Sequence, residues 1–347
     1  MAQAKHIGHH GAMATRGDAP AVVSLDALLG AATSIEPLIA SDGKSGALIE
    51  RALIDGEPFV VKHLHADDDW IMRVTGDVLP RPLVLWRTGV LAALPSCIDH
   101  AIVGVAGGLG RNGWGCVLLM RDVGALLVPE GDAPVSLEQS LRFLDHMAAL
   151  HAAFWDWRDD VGLLPRRQRF LEFNPSCAQH ELDRGGTAVV PGLIVEGWKR
   201  FPSVAPRVAA GVLELLDDPS PLADGLAEAP STLIHGDWKM GNLGSHPDGR
   251  TILLDWAVTG EACALSELGW YLALNCERLP HSKEDAIAAY RAALERHGVS
   301  TAGWWDRAVA LALLGAVVQF GWEKALGGPG PELGWWEDRA AEGLARL

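Results

Sequence analysis

The chain has 347 residues and a mass of 37.1 kDa, enough for two domains or one two-lobed unit. Hydrophobic residues make up 49% and charged residues 21%, which excludes disorder over most of the length. A net charge of −15 is opposite to that of a phosphate-backbone binder, so nucleic acid is not an expected partner.

Residues 1–20 carry His6, His9 and His10 among glycines and read as a flexible tail. They lack the apolar segment of a signal peptide. Ser34–Ala40 is a short apolar-rich run, followed by the glycine-containing loop Ser41-Asp-Gly-Lys-Ser-Gly46. Ala47–Leu53 and Pro58–Leu64 flank Asp55-Gly56, a strong hairpin signal. Arg81–Leu94 reads as a helix ending at Pro95. Ala101–Val105 and Cys116–Met120 read as strands joined by the glycine-rich link 107–115. Beyond Met120 the pattern turns helical. Ser136-Leu-Glu-Gln139 is a capping box, and Leu137, Leu141, Leu144, Ala148, His151 and Trp155 follow at helical spacing. Ser282 with Asp285 opens another helix, and Gly298 closes it. The expected architecture is α+β: a flexible tail (1–20), a small β-rich lobe (21–120) and a larger, mainly helical lobe (121–347).

The longest uncharged apolar run, Ala308 to Phe320, is shorter than the roughly 18–20 residues that cross a bilayer, so no membrane partner is expected. The five cysteines are scattered and form no CxxC pair. A disulfide framework and a cysteine zinc site are therefore not expected, and the cytoplasm is the simplest location.

The most informative stretch is Ser231-Thr-Leu-Ile-His-Gly-Asp-Trp-Lys-Met-Gly-Asn-Leu-Gly244, followed by Thr251-Ile-Leu-Leu-Asp-Trp256. A short strand delivers Asp237, with Asn242 five residues later. Asp248-Gly249 turns the chain, and a second strand delivers Asp255. Asn242 and Asp255 can then face one site beside Asp237. Their oxygens suit Mg2+, which prefers hard ligands. Phosphoryl transfer needs this set: metal ligands to neutralise phosphate oxygens, and a separate carboxylate to accept the proton of the attacking hydroxyl. Asp237 suits the base and Asn242 and Asp255 the metal. Lys239 can reach the transferring phosphate as a point charge. Turn and cap roles also suit Asp and Asn, but three spacings coincide here. His235 reads as structural, since the carboxylate beside it already supplies the base.

HGDxxxxN followed by a strand ending in Asp-Trp resembles the aminoglycoside phosphotransferase family, relatives of the protein kinases. The resemblance implies a bilobal protein-kinase-like fold, ATP and Mg2+ as cofactors, Asp237 as catalytic base, and Asn242 and Asp255 as metal ligands. It extends in order over residues 34–275. Phe59-Val-Val-Lys62 looks like the small-lobe strand whose lysine holds ATP phosphates. Gly43, Ser45 and Gly46 fall where a loop would cover the nucleotide. Val117–Val123 looks like the hinge, with backbone groups near Met120 and Val123 for adenine. Ala148–Trp155 resembles the helix preceding the catalytic loop. Ser266-Glu-Leu-Gly-Trp270 sits where the family usually has Asp-Leu supporting that loop. Two departures stand out: Thr88 falls where a helix glutamate should hold the lysine, with Asp77 as a substitute, and Glu267 replaces the usual Asp.

The function expected is an ATP-dependent small-molecule kinase acting on a hydroxyl of an aminoglycoside-like antibiotic, amino sugar or related metabolite. The rival is a silent ATP-binding module, supported only by the missing glutamate. Most of the acidic excess falls after residue 120. That favours a cationic acceptor, with Glu261, Glu277, Asp306 and Glu323 as rim carboxylates and Trp304, Trp305 and Trp322 as cation–π faces. Acidity for solubility alone is the competing account.

Overall fold

The computed structural model describes residues 19–38 and 45–347. The expected tail lies outside the described residues except for its last two, as do residues 41–44 of the glycine loop, Gly43 among them. The N-terminal part comprises α1 (Leu25–Leu29), β1 (Ala32–Pro37), β2 (Ile49–Ile54), β3 (Glu57–Leu64), α2 (Trp70–Val74), α3 (Arg81–Arg87), β4 (Ile98–Asp99), β5 (Ile102–Leu109) and β6 (Gly115–Arg121). Five strands form one antiparallel sheet in the order β1-β2-β3-β6-β5. Asp55 (φ 52°) and Gly56 (φ 81°) both adopt the left-handed conformation that a two-residue hairpin turn demands.

Alternation along the strands sorts the side chains into two layers. Ala52, Val61, Val117 and Leu119 form a small core that Leu25, Leu28 and Leu29 of α1 cover. Leu64, Cys116 and Leu118 face the other way, into the main core of the molecule. Lys62, two residues before Leu64, shares that second face.

The C-terminal part is mainly helical. It runs through α4 (Leu137–Ala153), α5 (Arg166–Arg169), α6 (Pro175–Asp183), α7 (Val189–Val204), α8 (Ala209–Asp217) and α9 (Ser220–Ala227) to β7 (Ser231–Ile234), β8 (Leu243–Ser245), β9 (Thr251–Leu253) and β10 (Gly260–Cys263). It ends with α10 (Ala264–Leu274), α11 (Lys283–Arg296), α12 (Trp305–Gly327) and α13 (Pro331–Leu344). β8 and β9 are the hairpin expected around Asp248-Gly249, and β9 pairs in parallel with β4. β7 pairs antiparallel with β10.

Several expectations need correction. The helix predicted over 81–94 stops at Arg87, where the Thr88 hydroxyl donates to the Val84 carbonyl (2.8 Å) and Gly89 turns left-handed (φ 74°). Only a 3-10 turn, Leu91–Ala93, follows before Pro95. Ser136 caps α4 by accepting from the Gln139 N–H (3.1 Å), but the Gln139 side chain does not fold back; it donates to the Ser245 hydroxyl at 2.9 Å. Leu137 and Leu141 are exposed, and the buried face of α4 runs through Ser140, Phe143, Leu144, Met147, Leu150 and His151. The glycine-rich link is shorter than predicted, because β5 continues to Leu109.

The 23 residues of α12 are long and apolar enough to cross a membrane by length and composition. The uncharged run understated this helix, because charged residues stand only near its ends. Its apolar window is 83% buried within the protein, packed by α7, α9, α10 and α13. All five cysteines are free.

Candidate active site

The loop after β7 is held from below by one carboxylate. Glu267, on the first turn of α10, is fully buried and accepts from the backbone N–H groups of His235 (3.1 Å) and Gly236 (2.5 Å). Its Oε2 also lies 2.8 Å from His151 Nε2, and His151 Nδ1 meets the Tyr290 hydroxyl at 2.5 Å. Burial alone would raise the Glu267 carboxyl. The His151 hydrogen bond and charge, with His235 and the Gly236 N–H, hold it below its ordinary value. The longer arm of Glu267 therefore reaches the loop, and His151 is part of its support rather than an idle core histidine. Asn275 adds a second brace, accepting from the Met240 N–H at 2.8 Å.

Asp237 emerges from this loop with a side chain 13% exposed. Its Oδ1 accepts from Trp270 Nε1 (3.1 Å), and its Oδ2 accepts from Asn242 Nδ2 (2.8 Å) and stands 3.3 Å from Lys239 Nζ. Three donors thus fix a single carboxylate. The His235 ring accepts the Asp237 N–H at 3.2 Å and is buried edge-on to Trp256, which bears out a structural reading. Gly236 is required where it stands: φ is 91°, and a Cβ would lie 2.3 Å from the Val258 carbonyl oxygen.

Asp255 follows β9 in a left-handed conformation (φ 64°, ψ 73°), which costs a non-glycine residue roughly 1–3 kcal/mol. Its Oδ1 lies 2.9 Å from Lys62 Nζ, so the strand lysine and the hairpin carboxylate meet across the molecule. Burial pushes the Asp255 carboxyl up, but Lys62 outweighs it together with Lys239 and His235, and the group sits below its ordinary range. The Leu254 N–H donates to the Asn242 carbonyl at 2.9 Å, tying the two segments. Asn242 turns its amide nitrogen to Asp237, which leaves its Oδ1 for a hard cation. No three His, Cys, Asp or Glu side chains gather as a metal cluster among the described residues. One carboxylate and one amide oxygen nevertheless fit Mg2+, which commonly takes one or two protein oxygens and completes its shell with substrate phosphates and water.

Neither Thr88, which occupies the place of the missing glutamate, nor Asp77, the expected substitute, contacts Lys62. Thr88 caps its own helix, and Asp77 pairs with Arg81 at 3.6 Å. Asp69 is nearer in effect. It is the buried N-cap of α2; burial lifts its carboxyl above the ordinary value, and the Met72 N–H, Ser45 and the Lys62 charge only partly oppose that. Ser45 and Gly46 sit against this N-cap: the Ser45 carbonyl accepts the Trp70 N–H at 3.2 Å. Met120 still belongs to the sheet, paired with Val60 and Ile102. Val123, beyond the strand, packs with Ala101 and Ile252 at the junction of the two parts.

The residues expected to form an acidic rim for a cationic acceptor are dispersed. Glu261 is taken by Arg158 (2.9 Å) and Arg166, and Glu323 stands 3.2 Å from Lys324. Trp304, Trp305 and Asp306 open α12, whereas Trp322 lies 17 residues on, roughly 25 Å away at the helical rise. Trp322 does belong near Asp237, through a ring cluster of Phe173, Trp70, Trp270 and Phe320. Sequence reasoning missed Arg81, Arg169 and Glu172. Burial lifts Glu172 to about 8 against the pull of Arg169, with Asp237 raising it further, and its Oε2 has no hydrogen-bond partner. The spacing of Glu267 and Trp270, one helical turn apart, was the available signal for the Trp270 contact.

The sequence model of the phosphotransferase enzyme family (APH) matches residues 84–304. No curated protein matches the chain. Similar solved structures include the choline kinase LicA from Streptococcus pneumoniae, 14% identical, covering 93% of this chain and 96% of that one with a TM-score of 0.49. A microcompartment-associated aminopropanol kinase is 14% identical, with 90% of both chains covered and a TM-score of 0.48. The aminoglycoside phosphotransferase APH(3'')-Id from Streptomyces rimosus, solved with ADP and streptomycin, is 16% identical, covering 88% and 99% with a TM-score of 0.47. Likenesses this distant leave the acceptor open. The family match spans α4, the Asp237 loop, the Asp255 hairpin and the bracing helix α10, and on that ground the chain belongs to the phosphotransferase enzyme family and is a phosphotransferase acting on a hydroxyl group.

Proposed function

We propose that this protein is an ATP-dependent small-molecule kinase that moves the γ-phosphoryl group of Mg-ATP onto an acceptor hydroxyl, with the catalytic loop centred on Asp237. The observation that carries this reading is that the Asp237–Asn242–Lys239 group (2.8 and 3.3 Å) and the Lys62–Asp255 pair (2.9 Å) are neighbours, joined by the Leu254 N–H to Asn242 carbonyl bond and by the charge of Lys239 on Asp255. Lys62 binds phosphate oxygens with its fixed charge, and residues 120–123 lie where adenine would meet the backbone. Bound Mg2+ supplies neutralisation of phosphate charge at Asn242 Oδ1 and Asp255. Asp237 orients the acceptor hydroxyl and takes its proton as the new oxygen–phosphorus bond forms and the bond from the γ-phosphorus to the bridging oxygen breaks, leaving ADP. Trp270 and Asn242 keep its carboxylate aimed, and Lys239 offsets the charge that gathers on the transferring group. Only a 3-10 turn and β10 separate Asp255 from α10, too little chain for a protein-substrate platform.

The acceptor we favour carries a positive charge. Support comes from Glu172, a buried carboxyl that feels the charges of Asp237 and Lys239 and that burial keeps protonated near neutral pH, so a cation arriving beside it and the ring cluster around Phe173 would favour its ionised form. A cation held near aromatic faces and an unpartnered carboxylate oxygen is well stabilised.

The test is ADP release over a panel of amino alcohols, amino sugars and aminoglycosides with their neutral isosteres, confirmed by product mass. Asp237→Asn should lower kcat by ~10²–10⁴-fold while nucleotide affinity holds. Nucleotide binding without turnover on any acceptor would overturn the kinase reading. Equal turnover of neutral and cationic acceptors would overturn only the charge assignment.

A further inference from the structure

Two arginines that the proposed chemistry leaves unused point at consecutive backbone carbonyls just past Asp255. Arg81, on α3 of the N-terminal part, is 3% exposed and donates from Nη1 to the Ala257 carbonyl (2.9 Å) and to Thr75 Oγ1 (3.1 Å). Its Nη2 donates to the Thr75 carbonyl at 2.9 Å. Arg169, at the end of α5, is equally buried and donates from Nη1 to the Val258 carbonyl (3.1 Å). Its Nη2 donates to the Gly236 carbonyl at 2.5 Å, one residue before Asp237. The guanidinium carbon of Arg169 also lies 5.2 Å from the centre of the Trp270 ring, whose N–H holds Asp237.

Burying two guanidinium groups is expensive unless each donor finds an acceptor. Here most of the acceptors are main-chain oxygens on either side of the reaction centre, Glu267 and Asp237 lend Arg169 counter-charge, and Asp77 faces Arg81 at 3.6 Å. Arg169 spans the Asp237 loop and the Asp255 segment with one rigid fork. Arg81 fastens the same segment to the N-terminal part. Asp255 itself is strained and forms no cap hydrogen bond at the start of its 3-10 turn, so its conformation must be imposed by what holds the residues beside it.

We propose that Arg81 and Arg169 are positioning residues that fix Asp255 in its left-handed conformation and set its spacing from Asp237. This rests on the reading of Asp255 as a metal ligand. A lysine cannot replace either one, because a single ammonium cannot span carbonyls that the planar fork reaches together. The pair also supplies a coupling between α3 and the Asp255 segment in a chain whose α3 has no glutamate for Lys62.

The test is calorimetric titration of ADP into the full-length protein, with Mg2+ and with EDTA, for wild type, Arg81→Lys, Arg169→Lys and Asp255→Ala, beside thermal melting of each. Losing one charge-assisted hydrogen bond to the segment should weaken ADP binding in Mg2+ by about tenfold in each lysine variant, with ADP binding in EDTA within about twofold of wild type. A Phe201→Leu variant, which loosens the helical core away from the site, should melt earlier yet keep the wild-type Mg2+ response. Arg81→Lys retains the charge facing Asp77, so it carries the test if Arg169→Lys does not fold. If Asp255→Ala loses the Mg2+ response while the folded lysine variants keep it, the positioning role is wrong and the reading of the site survives. If Asp255→Ala keeps the response too, both fall.

Discussion

Glu267 stands where the family usually has aspartate, and restoring that aspartate should damage the protein. The Glu267→Asp change retracts the carboxylate by one methylene, about 1.5 Å. The contacts it makes are 3.1 Å to the His235 N–H, 2.5 Å to the Gly236 N–H and 2.8 Å to His151. Retracted that far, at most one stays within hydrogen-bonding range unless α10 moves, and α10 is packed against α12. Gly269 leaves no slack, since a Cβ there would already stand 2.8 Å from the Ala312 carbonyl. Hydrogen bonds to a charged group contribute ~1.5–3 kcal/mol each, so losing two of three costs on the order of 3–5 kcal/mol. For a chain of this size that lowers the melting temperature by roughly 5–10 °C. The backbone that presents Asp237 also loses its brace, so kcat should fall further than the melting temperature alone explains. Thermal melting and steady-state turnover on any accepted substrate measure both. Melting within about 2 °C of wild type together with unchanged kcat would show that Glu267 is not what holds the loop.

Three further outcomes follow from the same geometry. Gly236→Ala should abolish turnover and lower stability by at least about 2 kcal/mol, because the left-handed backbone and the Val258 carbonyl both refuse a Cβ; a soluble, fully active variant would contradict this. Lys62→Met should raise KM for ATP about tenfold or lower kcat, since the charge facing Asp255 and the phosphates is gone; unchanged kinetics would mean that the lysine strand does not serve the nucleotide. Burial lifts Glu172 to about 8 and Asp77 to about 7, so between the ordinary carboxyl range and those values the native state keeps protons that the unfolded chain releases. Stability from these groups is present at low pH and is lost as pH rises from about 5 towards 8. Glu172→Gln should flatten that decline in melting temperature, and an identical slope would remove Glu172 from the account.

The parts of this protein that the chain announces are those governed by local rules. The Asp55-Gly56 hairpin, the Ser282 cap and the loop-hairpin unit from His235 to Asp255 each depend on residues a few positions apart, and each forms as read. The misreadings are of a different kind. The helical spacing of α4 includes Leu137 and Leu141 without saying which face is buried: tertiary contacts to Tyr271 and His281 draw Ser140 inward and leave both leucines in solvent. Arg81 and Arg169 lie 88 positions apart in ordinary-looking helical segments, and nothing nearby signals that both are buried against the same four-residue stretch. Glu172 was invisible for the same reason. Glu261 was a poor choice for an acidic rim because total charge says nothing about which carboxylates already have partners, and Glu261 has two.

The placement of α12 bears on how the protein can be made. α7, α9 and α10 all precede it in sequence and pack against it, so during synthesis their apolar faces wait without a cover until residues 305–327 have left the ribosome. The catalytic loop is complete long before then, yet its brace α10 has nothing to lean on. A chain halted by a premature stop at Trp304 would therefore carry every residue of the proposed chemistry and still expose sticky helical surfaces, a substrate for chaperones and proteases rather than an enzyme of reduced activity. Nonsense mutations that remove α12 should accordingly behave as complete losses of protein.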